Sequence, residues 1–150
     1  SKHFVWSDAQ VLAQLDEVMA RHPQVRITDS RRTPDALRAE LAARWPVTYQ
    51  PWEKCPPGWL AHELAVAENA WVTEDSVSMI YEALTAGCAV GLVGLEPAGS
   101  KAGRLARGIR QLEQEGLVSK LPALASGEVL RVAEPSLNEA NRVVGLLLPE

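Results

Sequence analysis

A chain of 150 residues and 16.3 kDa has the size of a single domain and leaves no room for a second core. Its 15 Lys and Arg against 19 Asp and Glu give a net charge of -4 and a pI near 5.4, which excludes the basic surplus of a general nucleic-acid binder. With 47% hydrophobic and 23% charged residues it lies outside the disordered regime, and its longest apolar run, 86–95, is too short for a transmembrane segment.

The start, Ser1-Lys2-His3-Phe4-Val5-Trp6, carries no secretory signal, and the absent initiator Met points to a fragment or a processed chain. Cys55 and Cys88 stand 33 residues apart, outside zinc-finger spacing. The expectation is a cytoplasmic chain with two thiols and neither disulfide, metal nor cofactor.

Ser7-Asp8-Ala9-Gln10 has the form of a capping box, and Val11, Leu12, Leu15, Val18 and Met19 follow at helical spacing, predicting a helix over 7–21. Val25-Arg26-Ile27-Thr28 reads as a strand running into the polar stretch 29–33, after which Thr33-Pro34 opens a second helix. The pattern then repeats: a strand over 47–50, a Pro-rich loop over 51–58, a helix over 59–69 and a short strand over 70–73. A helix over 76–86 follows, with Val77, Ile80, Tyr81 and Leu84 as its core face and Gly87 as its stop. The run 89–95 has no polar alternation and is expected at the sheet's centre, covered on both faces. Beyond it come a helix over 101–115, a short strand over 128–133 and a C-terminal helix opened by the capping box Ser136-Leu137-Asn138-Glu139, with Val143, Val144 and Leu147 on its apolar side. This alternation predicts an α/β, Rossmann-like domain over 1–150, with a mostly parallel sheet of about five strands and helices on both faces.

Ligands of such sheets sit beyond the carboxyl ends of the strands, so the strand-to-helix loops carry the candidate sites. In Thr73-Glu74-Asp75-Ser76-Val77-Ser78 a hydroxyl-rich turn feeds into a helix, where amides and dipole suit phosphate and Ser76 and Ser78 add donors; simple capping by Asp75 or Ser76 is the alternative. Ser30-Arg31-Arg32-Thr33 sets two guanidinium forks at another helix start, suited to phosphate or merely solvated. Gly94 to Lys101 nearly spells a P-loop, but Lys follows Ser and a Pro interrupts it, so nucleotide hydrolysis is excluded on that motif. No nucleophile elbow or His-paired cysteine spacing is present, and four of the tryptophans, Trp71 among them, are assigned to loops and element ends.

Ser30-Arg31-Arg32-Thr33-Pro34, followed by Val72-Thr73-Glu74-Asp75-Ser76-Val77-Ser78-Met79-Ile80-Tyr81-Glu82 and Ala86-Gly87, resembles the elongated-mitochondria (mitochondrial fission) family of bacteria and plants. The resemblance runs from Ser1 to Gly116. It implies a likeness to the nucleotide-sugar-binding, C-terminal half of a GT-B glycosyltransferase, with Glu82 at the position that often contacts the nucleotide ribose. Two segments depart from the family pattern. The strand ending in a Gly-Gly-Pro turn is absent before Ser1, together with the N-terminal domain, and Lys54-Cys55-Pro56-Pro57-Gly58 replaces an Asn-Pro-Tyr segment.

Two readings of function follow. The first is a nucleoside diphosphate or nucleotide-sugar binding domain, using Ser30, Arg31, Arg32, Thr33, Asp75, Ser76, Ser78 and Glu82, whose acceptor and catalytic base belong to the missing domain and which is inactive alone. The second is a non-catalytic interaction domain that binds a protein or lies peripherally on a membrane. The lost first strand would also bare a sheet edge, to be covered by Phe4-Val5-Trp6, by a swapped segment or by a partner chain such as a second copy in a homo-oligomer.

Overall fold

The alternation of patterns becomes an alternation of elements in the computed structural model, which describes residues 4–22, 24–97, 99–120 and 142–146. In chain order these are β1 (Phe4–Val5), α1 (Asp8–Arg21), β2 (Gln24–Thr28), α2 (Asp35–Arg44), β3 (Tyr49–Gln50), a 3-10 turn (Trp52–Lys54), α3 (Trp59–Val66), β4 (Asn69–Thr73), α4 (Val77–Thr85), β5 (Ala89–Val93), β6 (Glu96–Pro97), α5 (Gly99–Gln114), β7 (Val118–Lys120) and β8 (Arg142–Leu146). Local chemistry sets many of the boundaries. Ser7 Oγ accepts the Gln10 N–H at 3.3 Å and starts α1, whose Val11, Leu12, Leu15 and Val18 are buried. Gly87 takes a φ of 93° just after α4, a conformation that costs a residue without Cβ little.

Among the described residues the main sheet is wholly parallel, with strand order β3-β2-β8-β4-β5-β7, six strands where about five were expected. Crossovers toward β3 and toward β7 run in opposite directions, so right-handed connection puts α2 on one face and α3, α4 and α5 on the other. α1 lies beside α2, where Arg44 Nη1 stands 3.3 Å from Asp16 Oδ2. The α/β, Rossmann-like layering with helices on both faces is therefore present.

Four details correct the expectations. Residues 142–146 are a strand, not part of a helix. β8 pairs with both β2 and β4, and without a strand there the backbone groups of both neighbours would lack partners. Pairing outweighs an apolar spacing that a helix could also have used. The expected strand over 128–133 lies outside the described residues. β5 is buried throughout, yet among the described strands it is second from the end of the order, with β7 outside it. Phe4 and Val5 pair antiparallel with Pro97 and Glu96 in a separate small sheet, so they cover no edge of the main one. The strand expected over 47–50 shortens to Tyr49–Gln50, and Val47 is 93% exposed.

Trp71 belongs to the middle of β4, not to a loop or an element end, and is fully buried. Register sets Gly145 of β8 on one side of it and Gly91 of β5 on the other, so the indole has a glycine as its cross-strand neighbour on both sides. Its ring centroid is 6.2 Å from that of His22, the residue that ends α1, which places this face of the sheet under α1.

Candidate functional site

The loops after β2, β3, β4 and β5 all leave the same, carboxyl edge of the sheet. β2 and β4 flank β8, so the loops that follow them are two strand spacings apart, about 10 Å. That gap separates the two candidate phosphate-binding segments.

The first segment is a closed turn. Ser30 N–H donates to Thr33 Oγ1 at 3.1 Å, Thr33 N–H to the Ser30 carbonyl at 3.1 Å, and Arg32 N–H to Ser30 Oγ at 3.2 Å. Thr33 is buried in that role, so the expected Thr cap of α2 does not form and Pro34 stands at the cap position without a side-chain bond. The turn spends these three amides on itself and presents Arg31 and Arg32, both exposed, to solvent.

The second segment is the start of α4. Ser76 N–H donates to the Thr73 carbonyl at 3.0 Å and the Thr73 and Ser76 hydroxyls lie 3.3 Å apart. Asp75 and Ser76 are 2% and 1% exposed, so their side chains shape the turn from inside. Ser78 and Glu82 are exposed on the outer side of the helix, one turn apart. The buried side consists of Met79, Ile80 and Ala83, and Tyr81, expected in the core, is 51% exposed. Nine residues give α4 a narrow apolar stripe, and Tyr81 falls beyond it.

Between α3 and α4 runs a groove of about 720 Å³, lined by Cys55, Pro56, Gly58, Trp59, Leu60, Ala61 and Leu64 on one side and Tyr81, Glu82, Thr85 and Ala86 on the other. Among its described lining residues Glu82 is the charged one. Cys55, Pro56 and Gly58, from the loop before α3, form the groove's lip.

Of the buried acids that are not sequence-level candidates, Asp29, Glu63 and Glu74, the first and last tie loops of the carboxyl edge together. Asp29, 2% exposed, accepts the Trp52 N–H at 2.9 Å on Oδ1, and on Oδ2 Arg38 Nε at 2.7 Å and the Tyr49 hydroxyl. Arg38 continues to Glu53. Hydrogen bonds to Tyr49 and Glu53 hold the Arg38 guanidinium above its ordinary range, and the bond from its own backbone N–H, aided by Arg38, lowers Glu53. Glu74, 3% exposed, accepts the Leu95 N–H at 2.8 Å and lies 3.3 Å from Lys120 Nζ, tying the ends of β4, β5 and β7 together. The Gln14 side chain closes the same corner by bonding both backbone groups of Gly94, at 2.7 and 2.9 Å. The near P-loop is thus partly strand, with Glu96 and Pro97 paired to β1. For both acids the available signal was a carboxylate directly after a strand.

Burial, with the bond to Asp29, pushes the Tyr49 hydroxyl up to about 12 from an ordinary value of 10.0. A raised folded-state pKa means stability that is complete below about pH 10 and is lost as pH rises toward about 12. Unfolding midpoints in denaturant should accordingly fall across that window, and Tyr49→Phe should flatten the fall; an unchanged slope would remove Tyr49 as its cause. Cys88, buried and donating its thiol to the Leu64 carbonyl at 3.2 Å, is likewise raised, to about 11, by burial.

Among the described residues no group of three or more His, Cys, Asp or Glu could hold a metal ion, and no helix is long and apolar enough to cross a membrane. No curated protein and no solved structure matches the chain. One family model does, that of mitochondrial fission ELM1, and it spans residues 1–149, taking in the double-arginine turn, the start of α4 and the groove alike. On that match the chain belongs to the mitochondrial fission ELM1 family.

Proposed function

We propose that the carboxyl edge of this sheet binds a nucleoside diphosphate, as the donor-binding half of a GT-B-like glycosyltransferase. The observation that carries the reading is that the turn bearing exposed Arg31 and Arg32 and the loop leading into α4 leave the same sheet edge from strands two spacings, about 10 Å, apart, a separation on the scale of a diphosphate and its ligating side chains. Glu82 lies six residues beyond Ser76, roughly 9 Å along the helix. A ribose joined to a phosphate at the helix start falls within its reach, and a carboxylate accepts two hydroxyl bonds at once. The groove beyond Glu82, with Trp59 and Tyr81 on its walls, has the apolar and aromatic lining that a base requires. Ser30, Thr33, Asp75 and Ser76 keep the two loops in shape, while Arg31, Arg32, Ser78 and Glu82 meet the ligand.

Titration of the common ribonucleoside diphosphates and their sugar esters, followed by calorimetry or NMR shifts, tests this. Saturable binding is expected, and Glu82→Gln should weaken it about ten- to a hundredfold, the value of roughly 1.5 to 3 kcal/mol for a charged hydrogen bond. Absence of binding across the series would overturn the reading. The exposed Tyr81 beside the apolar groove favours the second reading, an interaction domain that receives a protein segment there, and that outcome would leave it standing.

A further inference from the structure

Asp29 links the two halves of this site. It is the first residue beyond β2 and directly precedes the turn that carries Arg31 and Arg32. Through Oδ1 it holds the Trp52 amide, three residues before Cys55 at the lip of the groove, and through Oδ2 it holds α2 by Arg38 and β3 by Tyr49. The lip leans on the same strand end, with Cys55 Sγ 3.7 Å from Thr28 Oγ1 and 3.5 Å from the Pro51 carbonyl. β3 already pairs with β2 up to Thr28 and Gln50, and beyond those strand ends Asp29 is the side chain that joins the arginine turn to Trp52 and the lip.

We infer that Asp29 is a positioning residue that locks the arginine turn and the lip of the groove into one unit, so that a nucleoside diphosphate meets both subsites at a preset spacing. The inference rests on the nucleotide reading above. Its consequence is specific: a ligand spanning both subsites gains from the fixed spacing, and a ligand touching only one does not. Asparagine cannot replace the carboxylate. Every group facing Asp29 is a donor, at Oδ1 one and at Oδ2 two, so an amide turned either way sets its NH2 against an N–H. The cheaper clash is with the neutral Trp52 amide, which frees the lip.

The test compares the 150-residue chain with Asp29→Asn and the milder Tyr49→Phe, using the nucleoside diphosphate that binds best together with its two halves, inorganic diphosphate and the free nucleoside. Expected for Asp29→Asn is a loss of about tenfold or more for the whole ligand, with each half within about twofold, and faster hydrogen exchange at the Trp52 amide. Should Asp29→Asn not fold, Tyr49→Phe is expected to give the same pattern at a few-fold. Equal losses for the whole ligand and its halves, or no loss for any, would overturn the positioning role. If the parent chain binds no nucleotide, the functional reading fails by itself, and the Trp52 exchange rate then decides whether Asp29 still couples the loops: an unchanged rate overturns that as well.

Discussion

Replacing Arg31 and Arg32 together with Ala is expected to weaken nucleoside diphosphate binding by about a hundredfold or more while leaving the melting temperature nearly unchanged. Both side chains are exposed, and surface substitutions away from packing and caps shift stability by about 0.5 kcal/mol at most. The turn itself survives, because its bonds run between the Ser30, Arg32 and Thr33 backbones and the Ser30 and Thr33 hydroxyls. What disappears is two charged donors to phosphate, at roughly 1.5 to 3 kcal/mol each, hence about 10² to 10⁴ in affinity if the two act separately. Lysine at both positions keeps the charge and loses the planar fork, so an intermediate loss is expected. Calorimetric titration of the parent, the Ala pair and the Lys pair at one salt concentration reads all three. Equal affinity in parent and Ala pair would return the arginines to the role of solvated surface charge.

The exposed part of this site was legible because its signals are local. A strand ending in polar residues, a Pro at the first helical turn and a Ser-rich helix start mark loops at a sheet's carboxyl edge, and Ser78 and Glu82 share a helix side by spacing alone. The buried part was not legible, because its partners are distant in sequence. Asp29 works through Arg38, Tyr49 and Trp52, and Glu74 through Lys120, and no periodicity announces such pairs. Segment 142–146 shows the same limit from the other side. Arg142-Val143-Val144-Gly145-Leu146 is a short apolar run that suits helix or strand, and only the slot between β2 and β4 decides. Tyr81 fits an apolar helix stripe on paper, and the narrow contact of a nine-residue helix leaves it in the groove instead.

The largest stability effect should come from the smallest residue in the core. A Cβ at Gly91 would lie 2.7 Å from Trp71 Cδ2 and closer still to Cε3 and Cζ3, three atoms of one rigid, fully buried ring. The ring has no flexible end to yield, and moving it breaks its packing on His22 under α1. Overpacking in a core costs about 1 to 3 kcal/mol, and three simultaneous contacts put Gly91→Ala at the upper end, about 3 kcal/mol. For a chain of this length that lowers the melting temperature by about 6 to 12 °C. The cause is separable from any general intolerance of β5, since in a Trp71→Leu background the three ring atoms nearest the added methyl are gone and the same change should cost clearly less. A double-mutant cycle by thermal or urea unfolding measures the difference. Equal costs in both backgrounds would mean that the indole is not what demands a glycine there. The effect reaches the site as well, because β4 and β5 carry α4 between them, and a sheet forced open at Trp71 shifts the helix on which Ser78 and Glu82 stand.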